Sequence, residues 1–140
     1  MPNVLGFDFG MKRIGVAVGQ EITATASPLN TLNAKDGIPN WNDISKLITE
    51  WNPGKLIVGL PLRMDGSEQS LTFAAKRFAN RLHEKFKLPV ELLDERLTSF
   101  EAEQRAREFI KDPLAAKKYH DSIAAQIILE NWFAYQATRK

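Results

Sequence analysis

The chain has 140 residues, a formal net charge of +2, 44% hydrophobic and 26% charged residues, and no cysteine. That length and composition fit one globular domain with a core of its own, while the missing cysteines exclude a disulfide framework and any thiolate metal site. Residues 1–10 carry an aspartate inside an apolar run and no basic stretch, and no apolar run is long enough to span a bilayer, so a soluble cytoplasmic protein is expected.

The first third reads as strands. Val4–Phe9 is short and apolar, as a buried strand should be, and Arg13–Val18 pairs with it through a tight turn at Gly10-Met11-Lys12. A third strand is expected within 22–31, and 32–40 reads as an irregular loop. A helix near 41–52 places Ile44, Leu47, Ile48 and Trp51 on one face, with Asn40 or Asn42 as cap and Pro53-Gly54 as its end. Lys55–Leu60 is a further buried strand. A helix near 68–87 follows, with Leu71, Ala75, Phe78, Leu82 and Phe86 as its apolar stripe. Pro89–Asp94 is the fifth strand, and helices are expected near 98–110 and 120–136, the last apolar on most of its circumference. Hairpins followed by βαβ crossovers give an α/β fold: a five-stranded mixed sheet flanked by helices, in three layers.

Charge is unevenly spread. Lys76, Arg77, Arg81, Lys85 and Lys87 face a single acid, Glu84, over 76–87, whereas Glu91, Asp94, Glu95, Glu101 and Glu103 dominate 91–103. A basic surface beside an acidic pocket suits a metal-dependent nuclease, which must attract phosphate and hold a cation; two solvated helix faces of opposite sign would read the same way.

Four places carry candidate chemistry. Asp8 lies in a strand, where a lone buried carboxylate costs several kcal/mol unless paired or metal-bound. Gly6, Asp8 and Gly10 share one face, and small neighbours there leave room for a ligand; the alternative is an aspartate bonding the turn amides. Asp94 and Glu95 stand at the carboxyl end of a strand, where α/β sheets bind ligands; Thr98 and Glu101 can cap the following helix without using Glu95. Asp121 opens the last helix, either as an ordinary cap or directed at the sheet with Ala124, Ala125 and Ile128. Three such carboxylates from distant segments can converge on hard cations, Mg2+ or Mn2+, and two ions roughly 4 Å apart can drive phosphodiester cleavage. The loop Gly59–Ser67 is the fourth. Ser67 can cap the next helix and Arg63 can meet a phosphate, although Glu68 opposes an anion and an ordinary Asp65-Gly66 turn is equally open. His83 and His120 lack metal-ligand spacing; His120 is a candidate phosphate contact.

Taken together, Gly6-Phe7-Asp8-Phe9-Gly10 with Arg13-Ile14-Gly15-Val16-Ala17, Val58-Gly59-Leu60-Pro61 with Asp65-Gly66-Ser67, Asp94-Glu95-Arg96-Leu97-Thr98-Ser99, and Asp121-Ser122-Ile123-Ala124-Ala125 with Ile128-Leu129 resemble the YqgF family. This family is also called RuvX or pre-16S rRNA nuclease, and is similar to RuvC-type Holliday junction resolvases. The resemblance covers about residues 4–133 and implies an RNase H-like fold in a single domain over 1–140. It implies a nuclease that trims the 5′ end of precursor 16S rRNA, or one that resolves branched DNA. Asp8, Glu95 and Asp121 are then the catalytic, metal-binding acids, with Asp94 and His120 as further candidates. Lys12, Arg13, Arg63, Ser67, Arg77, Arg81 and Arg96 are the expected nucleic-acid contacts. A monomer or weak dimer, working on precursor rRNA and in contact with the ribosome, completes this expectation.

Two other readings stand beside it. Asp8-Phe9-Gly10 followed by Gly15-Val16-Ala17-Val18 also resembles the phosphate hairpin of actin-like kinases and chaperone ATPases, but those enclose ATP between two such domains and 140 residues supply one. A non-catalytic RNA- or ribosome-binding module on the same scaffold is the other.

Overall fold

The computed structural model describes residues 3–97, 108 and 120–138. β1 (Asn3–Asp8) and β2 (Arg13–Gln20) form the expected antiparallel hairpin, registered from Asn3 opposite Gln20 to Asp8 opposite Gly15. The outer edge of β2 is shared by two short strands, β3 (Thr25–Pro28) along its second half and β4 (Leu32–Lys35) at its start. β5 (Ile38–Pro39) pairs with β4. On the other side of β1 lie β6 (Pro53–Leu60) and then β7 (Val90–Asp94), both parallel to it. The sheet is therefore mixed and seven-stranded among the described residues, in the order β5-β4-β2-β1-β6-β7 with β3 on β2.

The expected count of five is corrected by the segment 32–40. Asp36 and Gly37 both take positive φ, 51° and 79°, the backbone that closes a tight two-residue hairpin, so this stretch forms β4 and β5 rather than an irregular loop. Pro53 also changes role. The helix α1 (Trp41–Trp51) is capped at its start by Asn40, whose side chain accepts from the Asn42 N–H, and ends at Asn52 in the left-handed region. Pro53 then begins β6.

Alternation along the strands separates two cores. Leu5, Phe7, Phe9, Ile14, Val16, Leu56 and Val58 face α1 and α2 (Ser70–Phe86), where the Phe78 ring meets Phe7, Phe9 and Trp41. Val4, Ala17, Ala26, Ile57 and Leu93 face α3 (His120–Thr138) through Ala125, Ile128, Leu129, Trp132 and Phe133. Helices thus cover both faces, which is the three-layer arrangement expected. The α3 face of the sheet is lined with small residues because the helix lies very close: a Cβ on Gly6 would stand 2.5 Å from Leu129 Cγ, and one on Gly15 1.9 Å from the Asp121 carbonyl oxygen. The expected helix near 98–110 lies outside the described residues apart from Glu108, which is helical. No described helix is long and apolar enough to cross a membrane.

Candidate active site

The parallel strands β1, β6 and β7 end on the same side of the sheet. Phe7 lies opposite Val58, and Leu60 opposite Asp94, so Asp8, Gly59 and Glu95 fall in neighbouring positions across three strands. Alternation turns Asp8 away from the Phe7 core and toward the α3 side. Glu95 opens a single 3-10 turn (Glu95–Leu97) directly after β7, and its carboxyl comes within hydrogen-bonding reach of Asp8.

Gly59 makes that meeting possible. A Cβ at this position would lie 2.5 Å from Glu95 Oε1 and 2.5 Å from Ile128 Cδ1. Only a hydrogen atom on the middle strand lets the Glu95 side chain cross β6 beneath α3. Sequence reasoning put Gly59 in the buried strand Lys55–Leu60 and at the start of the candidate loop, without giving it this role; the available signal was a glycine inside a buried strand, which marks a close approach. The same geometry corrects the reading of Gly6. The space beside it is filled by Leu129, so it seats α3 rather than leaving room for a ligand.

Burial pushes the Glu95 carboxyl above its ordinary range, the hydrogen bond with Asp8 works in the other direction, and the charge of Asp94 raises it again. Two carboxyls this close repel each other when both are charged, and a cation between them would relieve that repulsion. The donor set is all oxygen, which matches a hard divalent ion such as Mg2+ or Mn2+. On this observation Asp8 and Glu95 fit a metal.

Asp121 lies alongside, in the first turn of α3 above Gly15, the strand partner of Asp8. Its carboxylate accepts from Arg13 Nε at 3.0 Å. The structure therefore brings Asp8 and Glu95 into contact and holds Asp121 with Arg13. Among the described residues, no three Asp, Glu, His or Cys side chains are gathered tightly enough to hold one metal ion. Asp94 is engaged separately: Arg96 donates to it through its backbone N–H (2.9 Å), Nε (3.1 Å) and Nη2 (2.7 Å), which holds its carboxyl below the usual range.

The expected nucleic-acid contacts divide by position. Lys12 and Arg63 on loops, and Arg13 at the start of β2, are exposed at the site end of the sheet. Ser67 directs both its N–H and its hydroxyl to Asp65 Oδ1, at 2.9 and 2.6 Å, and does not cap α2. The first turn of α2 is closed instead by Thr72, whose hydroxyl accepts from the Gln69 N–H. Arg96 is taken up by Asp94 and by the Met64 carbonyl oxygen. Arg77 and Arg81 are exposed on α2, over the sheet face opposite the acids. His83 Nδ1 lies 2.9 Å from the Leu88 carbonyl oxygen near the end of α2. The His120 side chain, Thr98, Ser99, Glu101 and Glu103 lie outside the described residues.

Comparison with known proteins agrees with this architecture. A relative named pre-16S rRNA nuclease from Saccharophagus degradans is 54% identical over 136 residues, covering 93% of this chain and 92% of its own length. One of the same name from Legionella pneumophila is 57% identical over 133 residues, covering 91% and 92%. Among solved structures, Thermus thermophilus RuvC in complex with a Holliday junction substrate aligns with a TM-score of 0.64 at 15% identity, covering 99% of this chain and 97% of that one, a likeness of fold. The family model described as RuvX, Holliday junction resolvase, matches residues 2–135, and the chain belongs to that family.

Proposed function

We propose that this chain is a metal-dependent nuclease that processes the 5′ end of precursor 16S rRNA, with Asp8, Glu95 and Asp121 as its metal-binding acids. The observation that carries the reading is the Asp8–Glu95 carboxyl pair, which meets across the end of β6 from the carboxyl ends of β1 and β7. The substrate is taken from the names of relatives more than half identical over nearly the whole chain. Such work belongs in the cytoplasm and in contact with ribosomal precursors.

Each residue has a distinct task. Asp8 and Glu95 hold Mg2+ or Mn2+ through carboxylate oxygens, and Gly59 fixes how close they come. Asp121 reaches the same end of the sheet from α3, and Arg13 balances its charge while remaining exposed to an incoming phosphate. Lys12 and Arg63 add positive charge at the mouth and draw the phosphodiester backbone in. When bound, the metal supplies Lewis acidity at the scissile phosphate and lowers the pKa of the attacking water.

Asp8→Asn tests this directly. The amide keeps the shape and can still donate to Glu95, so the melting temperature without metal should hold. Its rise on adding Mn2+ should disappear, and cleavage should fall by at least about 100-fold, since even outer-shell partners of metal ligands cost 10–100-fold. Undiminished cleavage by this variant sinks the assignment. A second reading, resolution of four-way DNA junctions, is favoured by the description of the family model. Competing an rRNA 5′ leader against a four-way junction, at one metal and salt concentration, separates the two. Cleavage of neither would favour a binding module.

A further inference from the structure

The loop from Pro61 to Gln69 leaves the end of β6 beside Glu95 and is braced at several points. At its base, the buried Thr72 hydroxyl donates to the Pro61 carbonyl oxygen and accepts from the Gln69 N–H. Across its width, Leu62 and Glu68 form an antiparallel bridge, and the Arg63 N–H donates to the Ser67 carbonyl at 3.0 Å. The Gly66 N–H closes a turn on the Arg63 carbonyl at 2.8 Å, and Asp65 accepts twice from Ser67. From the side, Arg96, fixed to Asp94, donates Nη1 to the Met64 carbonyl at 3.3 Å. Gly66 has φ +89°, and a Cβ there would stand 3.2 Å from that same nitrogen, so the guanidinium lies flat against the loop backbone.

At the tip of this braced loop stands Met64, 90% exposed, the highest value among the exposed large hydrophobic side chains described. Burial does not explain a methionine there, because it touches no core. Apart from its own carbonyl oxygen, which accepts from Arg96, the polar groups that fix the loop are supplied by its neighbours, and the Met64 side chain takes no part. Arg63, beside it, is also exposed. A stiff loop presenting an unbranched apolar side chain next to a cation, at the rim of an acid pair, matches the chemistry of a nucleic-acid strand. A thioether can enter a base step or cover an unstacked base face, while a guanidinium meets the adjoining phosphate.

We propose that Arg63-Met64 is a wedge that contacts the base next to the scissile phosphate and displaces it from its stack, with Arg96 as the latch that sets the position of the wedge relative to Glu95. This rests on the nuclease reading and adds to it a residue that selects substrates whose bases unstack easily. A charged-only surface would bind any backbone; Met64 makes the site sensitive to stacking.

The test uses the full chain and an rRNA 5′ leader carrying 2-aminopurine beside the cleavage position, with Ca2+ replacing the active metal for binding and Mn2+ present for cleavage. The wild type should brighten the fluorophore on binding, reporting an unstacked base. Met64→Ser, a surface change that leaves the loop hydrogen bonds intact, should abolish the brightening and slow cleavage about tenfold, the scale of a single base-stacking contact. Its salt dependence of binding should match the wild type, because no charge is lost, whereas Arg63→Ala should reduce the slope by about 0.7–0.9. If the wild type binds and cleaves while Met64→Ser equals it in fluorescence and rate, the wedge is overturned and the nuclease reading stands. If the wild type binds no nucleic acid, both fall.

Discussion

Gly59→Ala probes the acid site without touching a charged group. The added methyl would stand 2.5 Å from both Glu95 Oε1 and Ile128 Cδ1, about 0.9 Å inside ordinary van der Waals contact on each side. Ile128 is buried on the sheet-facing side of α3 and has little room to retreat, so Glu95 must give way. Overpacking of this kind costs about 1–3 kcal/mol. For a chain of this size that corresponds to a fall of about 3–12 °C in melting temperature. The functional effect should be larger, since moving a catalytic group by about 1 Å can cost 100-fold in rate. Calorimetry gives the first quantity and single-turnover cleavage the second. Gly19→Ala is the control: its methyl would meet the Phe133 ring at 2.8 Å, on the same face but opposite Val4, far along β1 from Asp8. It should lose stability and keep its rate. If Gly59→Ala loses no more activity than Gly19→Ala, Gly59 does not position Glu95 and the proposed geometry of the site is wrong.

Two further outcomes follow from charge. The folded protein holds the Glu95 proton more tightly than the unfolded chain, whose value is 4.5, so its contribution is full below that pH and is lost as pH rises through the raised folded value. In chelator, Glu95→Gln should therefore gain stability over the wild type as pH rises, from little difference near pH 4.5 to a plateau once the pH has passed the raised folded value, and the advantage should vanish when Mn2+ is added; a difference flat with pH refutes it. Replacing both Arg77 and Arg81 by alanine should lower the salt slope of nucleic-acid binding by about 1.4–1.8 if the strand runs over α2. An unchanged slope places its path on the acid side of the sheet alone.

Much of this architecture is legible in the residues. Continuous apolar runs identify β1, β2 and β6, the 3.6-residue stripe identifies α1 and α2, and a segment apolar on most of its circumference identifies α3, because burial dictates those patterns. The β4–β5 hairpin was missed because Asp36-Gly37 also breaks structure, and the strands it joins are too short and polar to show alternation. Asp8 and Glu95 stand out because an acid beside a buried strand needs a partner. Their contact, the closing of Ser67 on Asp65 and the pairing of Arg13 with Asp121 across 108 residues depend on tertiary placement, which local pattern does not encode.

The glycine-seated helix α3 has a consequence for how this chain can vary. Asp121 rides over Gly15, Leu129 over Gly6 and Phe133 over Gly19, so one side of the helix is keyed to the sheet residue by residue. Each residue advances a helix by about 1.5 Å and about 100°. Deleting one residue between Asp121 and Leu129 would leave every other side chain available yet turn the acid away from Asp8 by more than a quarter of a circle. The helix thus acts as a phase standard: its outer positions are free to drift in identity, while the interval of eight from acid to leucine is fixed in number.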